Sequence, residues 1–181
     1  ITSKIEHHAV LHTVEQLAID HNIKVSYVSI LSDGSIDYNH LETLLKSSEK
    51  TLVSLMHINN EIGTILNLQK VADLCKSNDA LFHSDSVQSV GHYHLDLQKI
   101  PIDFLAASAH KFHGPKGIGF VFIRKNSGLK PLIHGGMQER GVRAGTESIH
   151  DIVRLDASLA LSYKNLDIET NQVKSLKTYF V

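Results

Sequence analysis

A lysine near the middle of the chain has the surroundings of a nucleophilic amine. Lys111 lies in the segment SAHKFHGPKG (residues 108–117), where it follows an apolar run, stands close to Ser108 and His110, and precedes a glycine-rich turn. A lysine amine forms a Schiff base with a carbonyl compound when burial and neighbouring cations lower its pKa. The pattern is equally typical of an exposed lysine in a loop between a strand and a helix. Lys116, between a proline and a glycine, is a second candidate.

A carboxylate stands at the end of another apolar run. Asp85 opens the segment DSVQSVG (residues 85–91), and Gln88 follows three residues later, about one helical turn away. A carboxylate in this position can keep a pyridine nitrogen protonated, which lets pyridoxal phosphate act as an electron sink. Gln88 could then donate a hydrogen bond to the phenolic oxygen of the ring. Asp85 could instead cap a helix over residues 86–91.

Two further loops carry polar residues at positions suited to a ligand. Asn59 and Asn60 follow the apolar run 51–57, where their amides either bind a ligand or satisfy the backbone of a turn. The glycine-dense segment GGMQERGVRAGTE (residues 135–147) contains two arginines and precedes a long helical pattern. Thr146 and the start of that helix form a candidate cradle for a phosphate or another anion. Thr146 or Ser148 serves equally well as the helix cap.

The alternation of strands and helices positions these segments. Strands are predicted at residues 24–30, 51–57, 80–84, 104–107 and 117–124, and helices at 9–19, 38–47, 68–77 and 148–163, with a further helix opening near residue 165. This order predicts an α/β fold with a mostly parallel sheet covered on both faces, in which ligands bind at the carboxyl ends of the strands. That edge carries His57, Asn59, Asn60, Asp85, Gln88, Ser108, His110 and Lys111.

Composition and charge limit the classes of protein to which this sequence can belong. The 181 residues are 42% hydrophobic and 20% charged, as in a globular domain. A net charge of -1 and the lack of a long apolar run favour neither nucleic acid nor a membrane as partner. Cys75 is the single cysteine, which rules out an intramolecular disulfide and fits a reducing, cytoplasmic compartment. The 13 histidines form no recognised zinc-binding spacing, so no metal is expected.

Taken together and in this order, the segments resemble the cysteine desulfurase family, NifS/IscS-like enzymes with the class V aminotransferase fold. The resemblance covers nearly the whole chain to about residue 165 and runs through EHHAVL (6–11), HINNEIGTI (57–65), DSVQSVG (85–91), SAHKFHGPKGIG (108–119) and HGGMQERGVRAGTES (134–148). Met137 stands where a glycine is usual. The resemblance implies the three-layer α/β large domain of fold type I, with pyridoxal 5'-phosphate as cofactor.

The resemblance also implies a role for each matching residue. Lys111 looks like the lysine that binds pyridoxal phosphate, and Asp85 and Gln88 look like the partners of its pyridine nitrogen and phenolic oxygen. His7 matches a histidine that stacks on the ring and takes part in proton transfer, and Asn60 matches an asparagine that contacts substrate and cofactor. The positions matching phosphate ligands are Ser108, His110 and Thr146, the last of which reaches the neighbouring subunit of a homodimer.

The implied reaction converts L-cysteine into L-alanine and a persulfide on an enzyme cysteine. The sulfur then passes to an acceptor or scaffold protein for iron–sulfur cluster or thio-cofactor synthesis. In the family, the persulfide cysteine and the arginine that binds the substrate carboxylate lie well beyond Thr146. We therefore expect a fragment, with residues 1–165 as the central part of the cofactor-binding large domain and residues 166–181 as the start of a connection to a small C-terminal domain. Cys75 is predicted to be a structural thiol, not the persulfide cysteine.

Two other functions remain open at the level of the sequence. The first keeps the fold and the cofactor but changes the substrate, as in a selenocysteine lyase or a transaminase of the same class. The second is a non-catalytic scaffold that binds a sulfur-relay partner. The joint presence of Lys111, Asp85, Gln88 and His7 argues against the scaffold, because a protein that only binds a partner has no need of this set.

Overall fold

The structure, a computed structural model, describes residues 1–47 and 49–181. Its helices and strands, in chain order, are α1 (His8–His21), α2 (Tyr38–Leu45), β1 (Leu52–Ser54), α3 (Leu68–Ser77), β2 (Leu81–Asp85), β3 (Phe104–Ser108), β4 (Gly119–Ile123) and α4 (Ile149–Phe180). A short 3-10 turn over Ala109–Lys111 follows β3, and a second over Gln138–Gly141 precedes α4.

The sheet has the order β1-β2-β3-β4. The first three strands are parallel, with Ser54 opposite His83 and Asp85 opposite Ala106, whereas β4 runs antiparallel to β3. The carboxyl ends of β1, β2 and β3 therefore meet at one edge. This topology confirms the predicted α/β fold with a mostly parallel sheet.

The first residues of the chain extend the sheet beyond β1. The Ile1 ammonium group donates to the Leu52 carbonyl at 2.8 Å, and the Ser54 N–H donates to the Ile1 carbonyl at 2.9 Å. On the other side, Thr2 forms a parallel bridge with Tyr27. Because residues 1–3 run parallel to β1, they lead His7 towards the same edge at which β1 ends.

The core lies in and around this sheet and is mainly aliphatic. Helix α3 buries Leu68, Val71, Ala72 and Cys75, which recur at the spacing of one helical face. In the strands, Phe82 and Leu105 are almost completely buried. Burial of each such large apolar side chain stabilises the fold by about 1.5–3 kcal/mol. The core thus fixes the strands whose ends carry the candidate site.

Three elements differ from the sequence predictions. Strand β1 covers only Leu52–Ser54 of the strand predicted over residues 51–57. The two helices predicted around residue 165 are one helix, α4, because no glycine or proline interrupts residues 149–180. The segment 24–30, predicted as a strand, is extended but pairs only through isolated bridges at Tyr27 and Ile30. Within the described residues, no helix is both long and apolar enough to cross a membrane.

Candidate active site

The predicted site residues lie on adjacent loops at the carboxyl edge of the sheet. The His57 N–H donates to the Asp85 carbonyl at 2.9 Å, which joins the loop after β1 to the end of β2. The Ser86 N–H donates to the Ala106 carbonyl at 3.0 Å, which joins the loop after β2 to β3. These bonds hold the three loops side by side, although they lie far apart in the sequence.

Asp85 serves as a cap and keeps one oxygen for a ligand. Its Oδ1 accepts a hydrogen bond from the Val87 N–H at 3.0 Å, so the capping role considered from the sequence is present. Residues 87–92 form turns instead of the α-helix over 86–91 that the capping interpretation assumed. Within the described chain, Oδ2 accepts no hydrogen bond, and the residue is only half-buried. The second oxygen can therefore accept from an N–H of a bound molecule.

Lys111 lies in the short turn that follows β3, and its side chain is exposed. Its backbone is held in place, because the ring of His92 donates from Nε2 to the Lys111 carbonyl at 2.7 Å. The next residue, Phe112, is completely buried and anchors the turn in the core. The amine is thus accessible without the burial that the sequence argument assumed, while the backbone that carries it is fixed.

A hydroxyl and an imidazole lie together beside this lysine. The Oγ of Ser108 and the Nδ1 of His110 are 2.9 Å apart, at the two ends of a three-residue stretch that closes β3. Both groups can donate hydrogen bonds, and His110 is exposed. Such a pair suits an anionic group placed near the end of β3.

The two neighbouring asparagines have different roles. Asn59 is buried: its Nδ2 donates to the Ile5 carbonyl at 2.7 Å, and its Oδ1 accepts from the N–H groups of Glu61 and Ile62 at 2.8 and 3.0 Å. Asn60 is exposed, and its Nδ2 donates only to the carboxylate of Glu61, at 2.7 Å. Asn59 is therefore committed to the backbone, whereas Asn60 remains accessible to a ligand.

His7 begins helix α1 as its cap. Its Nδ1 accepts a hydrogen bond from the Ala9 N–H at 3.1 Å, so the proton of the neutral ring is on Nε2. The ring is exposed to solvent. This bond fixes the orientation of the ring and leaves the Nε2 N–H to face a ligand.

Gln88 and Thr146 complete the set of predicted site residues. Gln88 is half-buried in the turns after Asp85 and makes no hydrogen bond within the described residues. Thr146 is exposed in the loop before α4 and has no hydrogen bond to the other predicted site residues in the ranges that the structure describes. The loops after β1, β2 and β3 thus carry Asn60, Asp85, Gln88, Ser108, His110 and Lys111 at one edge of the sheet. His7 comes from the start of α1, and Thr146 lies apart in the loop before α4.

Two buried ionisable residues also lie beneath this edge. Glu6 is 5% exposed and His57 is 7% exposed. Burial, with a smaller contribution from the charge of Asp85, raises the pKa of Glu6 to about 7, and burial lowers the pKa of His57 to about 4. Glu6 was not among the sequence candidates, because it resembles an ordinary acidic residue ahead of a helix. Its contacts with residues fifty positions away are visible only in the fold.

Comparison with known proteins places the chain in a family. Residues 1–180 match the aminotransferase class-V family. The cysteine desulfurase IscS of Dictyoglomus turgidum is 41% identical over all of this chain and 45% of its own length. A solved structure described as a NifS-like protein superposes with a TM-score of 0.93 at 39% identity, over 98% of this chain and 49% of its own.

Another solved structure, described as SspA in complex with cysteine, superposes with a TM-score of 0.83 at 37% identity, over 88% of this chain and 46% of its own. The chain therefore spans about half the length of the proteins that it matches. These likenesses confirm the resemblance stated from the motifs. The chain belongs to the aminotransferase class-V family and is similar along its length to the NifS/IscS-like cysteine desulfurases.

Proposed function

We propose that the whole protein is a pyridoxal-phosphate-dependent cysteine desulfurase, and that these residues supply much of its cofactor site. The placement of Asp85 and Lys111 after neighbouring parallel strands carries this proposal. Support comes from the relatives, which are named cysteine desulfurases, and from the neighbour described in complex with cysteine. L-Cysteine is accordingly the proposed substrate.

The chemistry of the donor set fits pyridoxal phosphate. The cofactor presents an aldehyde, a pyridine nitrogen, a phenolic oxygen and a phosphate, and each has a complementary group at this edge. Lys111 offers an amine; Asp85 offers a carboxylate oxygen and Gln88 an amide, neither of which has a hydrogen-bond partner among residues 1–47 and 49–181. The hydroxyl and imidazole of Ser108 and His110 suit the phosphate.

Each of these residues has a defined task. Asp85 Oδ2 would accept a hydrogen bond from the pyridine N–H, and its negative charge would keep that nitrogen protonated. Lys111 Nζ would hold the cofactor and would accept or return a proton at the substrate. His7 Nε2 would move a second proton, while Asn60 would orient the substrate. When bound, pyridoxal phosphate supplies the electron sink for the carbanion that forms at the substrate.

The sulfur-accepting thiolate does not come from Cys75 in this proposal. Cys75 is 1% exposed in the core face of α3, and burial raises the pKa of its thiol to about 12. A thiol in this state is neither accessible nor nucleophilic at neutral pH. A cysteine outside these 181 residues must then receive the sulfur.

The arrangement of the whole protein is also part of the proposal. We place residues 1–165 in the large domain and residues 166–181 at the start of a connection to a small domain, although α4 continues unbroken across that boundary. We propose a cytoplasmic homodimer in which the exposed Thr146 completes the phosphate site of the neighbouring subunit. The sulfur passes to an acceptor or scaffold protein for iron–sulfur cluster or thio-cofactor synthesis.

The test is an assay of the full reading frame with L-cysteine and pyridoxal phosphate. We expect alanine and sulfane sulfur in equal amounts, with loss of both in the Lys111→Ala variant. Lys116→Ala is the matched control, since this exposed lysine lies five residues away in the same loop and should leave turnover within a factor of about 2. Pyruvate, ammonia and sulfide in place of alanine and sulfane sulfur, or turnover of selenocysteine alone, would move the protein to another reaction of the class.

A further inference from the structure

Polar atoms without partners lie buried close to the candidate site. Among the described residues, Thr2 Oγ1, Glu6 Oε2 and His57 Nδ1 are buried and lack a hydrogen-bond partner within the protein. Unsatisfied buried polar atoms are rare in folded proteins, and each calls for an explanation. The side chains of Glu6 and His57 are of special interest because they line the same small cavity.

The cavity has the size and polarity of a site for one water molecule. Its volume is about 20 Å³, and its polar lining includes Ser3, Glu6, Tyr38, His57, Asn59 and Thr64. A buried water needs roughly 10–15 Å³ and two to four polar partners. The cavity therefore has room for one ordered water and supplies enough groups to bind it.

The two side chains tie together the segments that carry His7 and Asp85. Glu6 precedes His7, and its Oε1 accepts from the Ser3 hydroxyl at 2.7 Å and from the Met56 N–H at 3.1 Å. His57 follows Met56, and its N–H donates to the Asp85 carbonyl at 2.9 Å. A link between Glu6 and His57 would thus join the start of α1 to the end of β2.

We propose that Glu6 and His57 share one ordered water in this cavity, and that this link makes Glu6 a positioning residue for His7 and Asp85. Glu6 donates its proton through Oε2 to the water, and the water donates to Nδ1 of the neutral His57 ring. No net charge is buried by this arrangement. The inference deepens the proposed function, because the residues positioned are those assigned to the cofactor.

The charges around Glu6 agree with this arrangement. Asp85 is the nearby carboxylate, His57 and Tyr38 are the ionisable groups across the cavity, and His83 lies beside Asp85. The raised pKa of Glu6, about 7, keeps its proton in place below neutrality, and the lowered pKa of His57, about 4, keeps that ring neutral. Above pH 7 Glu6 becomes a buried carboxylate near the half-buried Asp85 and loses the proton that it donates.

The pH dependence of stability follows from these values. The pKa of folded Glu6 lies above its ordinary value of 4.5, so between about pH 4.5 and 7 the folded state binds more protons than the unfolded state. The stability that protonated Glu6 contributes is therefore present at low pH and is lost as the pH rises through 7. Glutamine, which is neutral at every pH and retains both an acceptor and a donor, should remove this loss.

The test compares melting temperatures of the full-length protein between pH 5 and 8, with and without cofactor. We expect the melting temperature of Glu6→Gln relative to the wild type to rise by roughly 5 °C across this range. Glu15→Gln, the same change at an exposed position of α1, should follow the wild type at every pH. An offset that stays constant with pH would show that Glu6 does not carry the raised pKa on which the shared proton depends, which would overturn the inference.

A high-resolution crystal structure of the full-length protein tests the water itself. We expect one water within about 3.2 Å of both Glu6 Oε2 and His57 Nδ1. Absence of that water, or contact with only one of the two atoms, would refute the link. His57→Asn, which places an acceptor near the position of Nδ1, should retain this water, whereas His57→Phe, which has no polar atom there, should lose it.

Failure of this inference can be distinguished from failure of the proposed function. The melting profile of the cofactor-free protein does not depend on whether pyridoxal phosphate binds. In the loaded protein, we expect the wild type to show a change in cofactor absorbance around pH 7 and Glu6→Gln to show none. Wild-type absorbance and melting profiles in this variant, with cofactor still bound to Lys111, would contradict the positioning role alone.

Discussion

At the scale of single residues, the neighbouring asparagines show how burial separates a structural side chain from an available one. Asn59 makes three hydrogen bonds to backbone groups, and Asn60 makes one to an exposed carboxylate. The residue types are identical, so the sequence could place both at the edge of the sheet but could not rank them. The difference arises because Asn59 faces the segment of Ile5, which only the fold brings near.

We expect Asn59→Ala to lower the stability of the protein and Asn60→Ala to lower its turnover. Loss of three buried hydrogen bonds should lower the free energy of unfolding by about 2–4 kcal/mol in Asn59→Ala. Asn60→Ala should change it by less than about 0.5 kcal/mol but lower the turnover of L-cysteine by the full-length protein. Urea unfolding and the alanine assay measure the two effects. Equal stability losses in the two variants would contradict this assignment.

The same contrast applies to Asp85. The sequence left a choice between a helix cap and a ligand for a pyridine nitrogen, and the structure shows the cap through Oδ1 while leaving Oδ2 without an internal partner. Both interpretations can therefore hold for one carboxylate. The position of Asp85 at the end of a buried strand was predictable from the sequence pattern. The different hydrogen bonding of its two carboxylate oxygens is visible only in the structure.

At the scale of elements, the spacing of apolar residues predicted where most helices begin and end, because that spacing can be read from a short stretch of sequence. Helix α3 occupies residues 68–77 as predicted, since its apolar residues recur at helical spacing and Asn67 caps it. The pairing of residues 24–30 was less predictable, because a strand is completed by partners elsewhere in the chain. Here that partner is the very start of the chain, through Thr2.

The turns between β2 and β3 pack against the loop that carries Lys111, here called the lysine loop. Gly91 has a φ of +82°, and a Cβ added there would lie 2.6 Å from the Cβ of Phe112, the residue after Lys111. Gly63 has a similar φ of +70° but has no atom within 4 Å of such a Cβ. A comparison of substitutions at the two glycines therefore separates the cost of a positive φ from the cost of a clash with Phe112.

We expect Gly91→Ala to cost more than Gly63→Ala. Positive φ alone should lower the free energy of unfolding by roughly 1–2 kcal/mol in both variants. The clash with Phe112 should add roughly 1–3 kcal/mol in Gly91→Ala and weaken cofactor binding through the displaced Lys111 loop. Chemical unfolding and cofactor titration check the two effects. Equal losses in both variants would show that the turn does not support the lysine loop.

At the scale of the whole molecule, the site depends on contacts between distant segments. The order of motifs was sufficient to predict the class V aminotransferase fold, because several long segments in the correct order are more specific than any one alone. The cavity shared by Glu6 and His57 could not be predicted, since it arises where the chain start, β1 and β2 meet. The roles of the site residues are implied by the family resemblance and stay predictions, whereas the contacts of these residues are visible in the fold.

Borohydride trapping tests the central claim, that Lys111 binds pyridoxal phosphate, most directly. The full-length protein is loaded with the cofactor, reduced, digested and mapped by mass spectrometry. The account predicts a pyridoxyl group on Lys111, and none on Lys116 or on the Lys111→Ala variant. An adduct on another lysine, or none at all in a folded protein, would contradict the account.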